Sequence, residues 1–185
     1  MQTEIISKIE ECIKEKKQCL LAIEGRAAAG KTTLAHALKV YFDGAIIHMD
    51  DFFLPSALRT KERYVLPGGN IHYERFNEEV GKQLTLGNAF KYQKFNCEKM
   101  QLDCWQEVQN KKIIIIEGAY ATHPKIQVTY DLKFFLDINQ EEQKRRILYR
   151  NGEKALEQFL KKWIPLEEMY FESYQVMVHC QCIHL

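Results

Sequence analysis

The sequence predicts an α/β protein in which a mostly parallel sheet is flanked by helices on both faces. Three observations predict this class. Short apolar runs alternate along the chain with segments of helical periodicity. Residues 113–116 are four consecutive isoleucines, a run that suits a strand buried on both faces. No internal repeat, linker or low-complexity stretch divides the 185 residues, so we expect one domain over residues 1–185.

The composition argues against several classes of protein. Lys and Arg number 26 against 25 Asp and Glu, whereas proteins that bind nucleic acid through bulk charge carry a marked basic excess. With 46% hydrophobic residues the chain is too apolar for a disordered protein, and its apolar runs are too short to cross a membrane. We expect a cytoplasmic protein without nucleic-acid or membrane partners, whose six cysteines stay reduced.

The first quarter of the chain alternates predicted helices and strands. The segment up to about Lys17 places its apolar residues on one helical face. Residues 19–24 and 45–49 are short apolar runs, which indicates two buried strands. Residues 32–42, between them, have the helical period. This order is typical of a β-α-β unit in a parallel sheet.

The middle of the chain holds the longest predicted loop. Residues 52–73 contain two prolines and two glycines and predict a loop with about one helical turn. Loops of this length in compact domains are usually functional. Residues 74–86 predict a helix that ends at Gly87, and residues 90–95 and 104–108 predict a small hairpin.

The last part of the chain returns to the sheet. Residues 112–117 and 132–138 predict core strands, and the charged segment 140–150 predicts a helix. Alternating apolar and polar residues over 176–183 predict a terminal strand.

A phosphate-binding motif lies between the first predicted strand and the helix that follows it. Residues 25–32, Gly-Arg-Ala-Ala-Ala-Gly-Lys-Thr, fit the pattern G-x-x-x-x-G-K-[ST]. The glycines let N–H groups point at phosphate oxygens, Lys31 would neutralise the β- and γ-phosphates, and Thr32 would ligate Mg²⁺. The motif predicts a three-layer P-loop NTPase fold that uses ATP and Mg²⁺. The residues expected to bind the nucleotide are Gly25, Arg26, Ala27, Ala28, Ala29, Gly30, Lys31, Thr32 and Thr33.

The class of triphosphate protein is narrowed by what accompanies this motif. The sequence lacks the Asn-Lys-x-Asp segment with which GTPases recognise guanine. Motor and transport ATPases are usually larger. A small domain with a long insertion on the substrate side therefore favours a kinase whose partner is a small-molecule substrate.

Three acidic residues follow predicted strands, where ligands bind in parallel sheets. Asp50 is the candidate base that takes the proton of an acceptor hydroxyl. Glu117, with Thr32 and Asp50, is a candidate Mg²⁺ ligand. The alternatives are that Asp50 or Asp51 caps the next segment and that Glu117 simply meets solvent.

Several segments then carry a family resemblance. They are the phosphate loop, residues 47–55 (Ile-His-Met-Asp-Asp-Phe-Phe-Leu-Pro), 69–76 (Gly-Asn-Ile-His-Tyr-Glu-Arg-Phe) and 117–120 (Glu-Gly-Ala-Tyr). In order and spacing they resemble the uridine kinase family of P-loop kinases, with its phosphoribulokinase and nicotinamide riboside kinase relatives. Further similar segments extend the likeness to about Tyr174, and Asp-Asp-Phe-Phe-x-Pro is its most selective motif.

The resemblance implies roles for residues on both sides of the site. Asp50 would be the catalytic base, and Phe52 and Phe53 would line the nucleoside side. A lid at about residues 140–162 would supply arginines to the triphosphate, and this chain offers Arg145, Arg146 and Arg150 there, with Arg146 and Lys31 expected to act in catalysis. The alternative for each arginine is an i,i+4 ion pair on a solvated helix.

The chain departs from the family pattern at two positions. Asn151 follows Arg150 where the family's lid commonly has an aspartate, and His72 stands where relatives often carry an acidic residue. Four further residues are candidates for the substrate pocket because of their places in loops or beside the acceptor segment. They are Tyr73, Arg75, Tyr120 and His123.

Three functions stay open from the sequence. The favoured one is transfer of the ATP γ-phosphate to the 5′-hydroxyl of uridine or cytidine. The second is a kinase for another hydroxyl acceptor, such as nicotinamide riboside. The third is a nucleotide-binding protein without phosphotransfer, which the altered lid suggests. The resemblance is also compatible with a homo-oligomer.

Overall fold

The computed structural model describes residues 2–184, with only the backbone described for Gln2. The strands are β1 (Cys19–Gly25), β2 (Ala45–His48), β3 (Phe90–Asn96), β4 (Gln101–Val108), β5 (Ile113–Glu117), β6 (Leu132–Asp137) and β7 (Gln181–His184). The α-helices are α1 (Gln2–Glu15), α2 (Lys31–Phe42), α3 (Lys61–Tyr64), α4 (Tyr73–Phe76), α5 (Lys82–Leu86), α6 (Gln140–Asn151), α7 (Glu153–Gln158) and α8 (Ile164–Ser173). π-helical segments Asn77–Gly81 and Phe159–Trp163 connect α4 to α5 and α7 to α8.

A five-stranded sheet forms the centre of the molecule, and each pair of neighbouring strands is parallel. The order is β2-β5-β1-β6-β7, so β1 is central and pairs with strands that come much later in the chain. Leu21 of β1 lies opposite Ile115 on one side and Leu132 on the other. The predicted α/β class with a mostly parallel sheet is confirmed.

The isoleucines of β5 divide the core into two layers. Ile113 and Ile115 are buried with apolar side chains of α1 and α2. Ile114 and Ile116 are buried on the other face, in a cluster that includes side chains of α4 and α8. Successive side chains of a strand point to opposite faces, so a strand covered on both sides needs an uninterrupted apolar run.

A separate two-stranded hairpin, β3 and β4, confirms the prediction for this segment. It packs against the turn that follows β2, because the Tyr92 hydroxyl of β3 donates a hydrogen bond to the carboxylate of Asp51. The residues that join the two strands lie at the tip of the hairpin, over the end of the sheet where Asp50 is found.

Two segments differ from the sequence prediction. Residues 52–73 hold more helix than expected, namely a 3₁₀ turn at Ser56–Leu58 followed by α3. The predicted terminal strand begins only at Gln181, and Val176–His179 is a 3₁₀ turn. Gln175 adopts a left-handed conformation (φ 49°) that reverses the chain after α8, so Val176 reaches the core while Val178 is exposed.

Among the described residues, no helix combines the length and the apolar character needed to cross a bilayer.

Candidate functional site

The phosphate loop connects β1 to α2 at the carboxyl edge of the sheet. Gly25 has φ +138°, and a Cβ there would lie 2.3 Å from the carbonyl oxygen of Leu136, so only glycine fits this close approach to β6. Lys31 opens α2, and its ammonium group donates hydrogen bonds to the carbonyls of Gly25 (2.7 Å) and Arg26 (2.8 Å). The loop thus brings a helix N-terminus and a lysine charge to one place, as anion binding requires.

Arg26 fastens the loop from outside. Its guanidinium pairs with Asp137 at 2.6 Å and with Glu168, and it packs against the ring of Phe171. Arg26 does not line the cavity described below. These partners hold the guanidinium, and the contact of Arg26 with nucleotide stays a prediction.

A chain of polar side chains crosses from the loop to β2. The Thr32 hydroxyl lies 3.1 and 3.2 Å from the two oxygens of Glu117, and His48 Nδ1 lies 2.6 Å from Glu117 Oε1. His48 and Glu117 are register partners at the ends of β2 and β5. The hydrogen bond to Glu117 raises the pKa of His48. The oxygen donors of Thr32 and Glu117 have the chemistry that Mg²⁺ prefers.

The two aspartates after β2 have different surroundings. Asp50 is open to the cavity, at a depth where desolvation and then the charge of Glu117 raise the pKa of its carboxyl. Asp51 is buried and accepts a hydrogen bond from Tyr92 at 2.8 Å, with Lys94 at 3.9 Å. Only Asp50 is therefore placed to meet a ligand, and Asp51 holds the hairpin to the sheet.

A cavity of about 900 Å³ joins the loop to these carboxylates. This volume lies in the upper part of the roughly 300–1,000 Å³ range of small-molecule sites. Of the predicted residues, the ones that line it are Ala27, Ala28, Gly30, Lys31, Thr32, Thr33, Asp50, Phe53, Glu117, Tyr120, Arg145, Arg146 and Arg150. The structure therefore brings the donor, acid–base, metal and lid candidates to one place.

Four predicted substrate residues do not line this cavity and have partners elsewhere. Phe52 is fully buried against Phe76 and Tyr92. Arg75 stacks on Phe52 and donates to the carbonyls of Asp51 and Gln93.

The other two, Tyr73 and His123, stack on each other with ring centroids 5.1 Å apart. The Tyr73 hydroxyl accepts hydrogen bonds from Arg63 and Lys125. Burial lowers the pKa of His123, whose Nε2 lies 3.1 Å from the carbonyl of Pro67. These contacts stabilise the loop around residues 60–73, and a direct role of all four residues in substrate binding stays a prediction.

His72, the first departure from the family pattern, caps a helix. Its Nδ1 accepts the N–H of Arg75 at 3.3 Å at the start of α4, and the residue does not line the cavity. The second departure, Asn151, ends α6 and accepts a hydrogen bond from Arg150 Nε at 2.7 Å. An asparagine oxygen thus serves as the acceptor at the end of α6.

The two arginines in the middle of α6, which the sequence assigns to a lid, differ in how firmly they are held. Arg145 and Arg146 both pair with Glu142, at 2.7 and 2.6 Å. The side chain of Arg145 is 72% exposed, that of Arg146 only 35%, and Arg146 also reaches the carbonyl of Ala28 in the phosphate loop at 3.4 Å. Of the two, Arg146 is therefore the one that contacts the phosphate loop.

Comparison with known proteins identifies the family. The sequence model of the polyphosphate kinase 2 (PPK2) family matches residues 1–169 of the chain. The chain belongs to the polyphosphate kinase 2 family. This match confirms the expected P-loop kinase and phosphotransferase class, but it does not confirm the uridine kinase family itself.

Solved structures share the fold of this family member. A possible uridine kinase from Bacillus stearothermophilus superposes with a TM-score of 0.69 at 19% identity, over 97% of this chain and 99% of that one. The protein YFH7 from Saccharomyces cerevisiae, a P-loop-containing chain with a circular permutation, superposes with a TM-score of 0.59 at 11% identity, over 100% of this chain and 97% of that one. At these identities the likeness shows the fold alone.

Sequence reasoning missed several residues that line the cavity of this polyphosphate kinase 2 family member. They are Arg59, Asn70, Cys97, Met100, Gly118, Ala119, Tyr149, Phe159, Trp163 and Glu167. Asn70, Gly118 and Ala119 lie inside segments that carried the resemblance, so a signal was present. Met100 and Cys97 reach the cavity only because the hairpin folds over it, and no local pattern indicates that.

A buried carboxylate positions the loops around the site. Glu24 is fully buried at the end of β1 and accepts hydrogen bonds from the N–H groups of Tyr120 (2.9 Å) and Thr122 (3.0 Å) and from the Tyr170 hydroxyl (3.2 Å). Burial raises the pKa of Glu24. These bonds tie the segment after β5 and helix α8 to the strand that leads into the phosphate loop.

Proposed function

We propose that the protein transfers the γ-phosphate of ATP to a hydroxyl group of a small molecule, with the 5′-hydroxyl of uridine or cytidine as the favoured acceptor. One observation carries the proposal. The phosphate loop, the Thr32–Glu117 pair and the free carboxylate of Asp50 all line one cavity that is large enough for a donor and a small acceptor.

The acceptor side of the cavity favours an uncharged alcohol. Phe53, Met100 and Tyr120 offer apolar surface to a flat ring, and Asn70 offers an amide to polar groups on it. Asp50 and Glu117 would repel a phosphorylated acceptor, and among the described residues on that side Arg59 supplies the one side-chain cation.

The reaction follows from this arrangement. Asp50 takes the proton of the acceptor hydroxyl as its oxygen forms a bond to the γ-phosphorus and the bond to the leaving phosphate oxygen breaks. Lys31 and the loop N–H groups hold the phosphates, and Arg146 stabilises charge on the transferred group. Mg²⁺, when bound, would neutralise phosphate charge, and the oxygens of Thr32, Glu117 and Asp50 would hold it.

A second candidate comes from the family match. A polyphosphate kinase 2 relative suggests polyphosphate as the donor and a nucleotide as the acceptor. The cations Lys31, Arg145, Arg146 and Arg150 on the donor side support a polyanion there as well as they support ATP.

A matrix of donors and acceptors tests both candidates. ATP, GTP and polyphosphate are each combined with uridine, cytidine, nicotinamide riboside, and nucleoside mono- and diphosphates, and phosphorylated products are separated by ion exchange. The proposal expects ATP with a nucleoside to give the fastest turnover, abolished in Lys31→Ala. Turnover with polyphosphate and a nucleotide alone would establish the second candidate. If no pair exceeds the rate of hydrolysis in water, the protein binds nucleotide without phosphotransfer.

A further inference from the structure

The phosphate loop already holds an anion that belongs to the protein itself. Glu167 of α8 places Oε2 3.1 Å from the backbone nitrogen of Ala27, which donates a hydrogen bond to it. The side chain lines the cavity and is 6% exposed. The N–H groups of such a loop are the groups that bind donor phosphates, so this carboxylate uses a donor-binding group.

The contact is part of a wider attachment of the lid region to the loop. Glu168, the next residue, pairs with Arg26, and Gln143 Nε2 of α6 donates to the carbonyl of Ala27 at 3.3 Å. Arg146 reaches the adjacent carbonyl of Ala28. Helices α6 and α8 thus hold this half of the loop from two directions, and of the side chains just named Glu167 is the one whose carboxylate accepts a loop N–H.

The charges around Glu167 come from three elements. Lys31 of α2 attracts its negative charge, whereas Glu24 of β1 and Glu168 of α8 repel it. Burial and then the charge of the same carboxylate raise the pKa of Tyr120, which follows β5. Burial outweighs the attraction and raises the pKa of Glu167 to about 7, so the group changes charge near neutrality.

We infer that Glu167 is an internal competitor of the phosphate donor, whose carboxylate occupies the Ala27 amide in the donor-free protein and must be protonated or displaced when a donor phosphate binds there. The inference rests on the proposed function in that it takes the phosphate loop to bind a nucleoside triphosphate. It gives the protein a donor affinity that falls as the pH rises through neutrality. The neutral form of Glu167 leaves the loop to the donor, and the ionised form repels it.

The test compares wild-type protein with Glu167→Gln, which keeps the size of the side chain and removes its charge. Calorimetry measures the Kd of MgATP from pH 6 to pH 8.5 with Mg²⁺ in excess. The ratio of the two Kd values at each pH cancels the ionisation of the nucleotide. Glu168→Gln is the matched control, because it removes a neighbouring charge that does not meet the loop N–H.

We expect the wild-type Kd to rise by up to about tenfold per pH unit above pH 7, the limit for one linked proton. The Glu167→Gln profile should be flat by comparison, with MgATP bound about tenfold more tightly than by wild type at pH 8. Glu168→Gln should keep the limiting slope of wild type, with the midpoint moved to lower pH because a charge that repels Glu167 is removed. A ratio that does not change with pH, or a Glu167→Gln protein that binds MgATP no more tightly than wild type at pH 8, overturns the inference while leaving donor binding in place.

A second measurement separates failure of the inference from failure of the proposed function. In donor-free protein, the ¹⁵N and ¹H shifts of the Ala27 amide should titrate with a midpoint near pH 7 in wild type and not in Glu167→Gln. An amide that titrates in this way, together with no MgATP binding to any of the three proteins, refutes the loop as a donor site and with it the competition. An amide that does not titrate overturns the occupancy of the loop by Glu167.

Discussion

Replacing Asp50 by asparagine tests the proposed base most directly, because Asp51 beside it is a built-in comparison. Asp50→Asn keeps the size of the side chain and removes its capacity to take a proton. The residue is open to the cavity, and desolvation and then the charge of Glu117 disfavour its ionised form, so the neutral asparagine should not lower the folding stability. Loss of a general base typically lowers kcat by about 10²–10⁴-fold, or about 3–5 kcal/mol in the barrier.

Asp51→Ala should instead lower the folding stability and leave the catalytic rate largely unchanged. Asp51 is buried and accepts the hydrogen bond of Tyr92, so its removal leaves a buried hydroxyl without that partner, at a cost of about 1–3 kcal/mol in the free energy of unfolding. The catalytic rate per folded molecule should change much less than in Asp50→Asn.

The assay pairs turnover with stability for both variants. Product formation is followed with the best donor and acceptor from the matrix, MgATP affinity by calorimetry, and unfolding by urea titration. If Asp50→Asn keeps kcat within about threefold of wild type, Asp50 is not the base. If, in addition, Asp51→Ala unfolds with the same free energy as wild type, the division of roles between the two aspartates is refuted.

Three further predictions follow from the donor side and the lid. Lys31→Ala should weaken MgATP binding by at least about tenfold, since it removes a charged donor from the loop; unchanged affinity in calorimetry would contradict this. Arg146→Ala should lower kcat by about 10²-fold and Arg145→Ala by much less, because only Arg146 reaches the loop; equal losses in steady-state assays would count against this ranking. Glu167 has a pKa raised from an ordinary 4.5 to about 7, so the folded protein binds more protons than the unfolded chain in that range and loses stability as the pH rises through it. At pH 8 Glu167→Gln should therefore be more stable than wild type by up to about 3 kcal/mol in urea unfolding, at 1.36 kcal/mol per pKa unit. A difference in unfolding free energy between variant and wild type that is the same at pH 5 and pH 8 would contradict it.

The sequence predicted the parts of the site that depend on local patterns. The phosphate loop is a contiguous motif. Asp50 follows β2 and Glu117 ends β5, and the carboxyl ends of parallel strands must meet at one edge of the sheet. The fold class was predictable for the same reason, since the isoleucines of β5 require cover on both faces.

Other parts depend on contacts between distant segments and on side-chain direction. Phe52 and Phe53 are neighbours at the end of a 3₁₀ turn, yet one is in the core and the other lines the cavity, a difference set by packing. Glu167 reaches Ala27 only because α8 docks on the loop, 140 residues away in sequence. Tyr73 and His123 were predicted to line the substrate pocket, but their polar atoms have hydrogen-bond partners in the surrounding structure.

The central position of β1 has a consequence for the order in which the protein can form. The phosphate loop belongs to the first 32 residues, but the N–H of Arg26 is bonded to Leu136 and the N–H of Leu20 to Asp131, 111 residues later. Closing loops of that length is slow and comes after local helices and hairpins have formed. During synthesis the segment that carries the donor motif must therefore wait for β6 to leave the ribosome, and a chain that stops before Leu132 should have no structured phosphate loop at all.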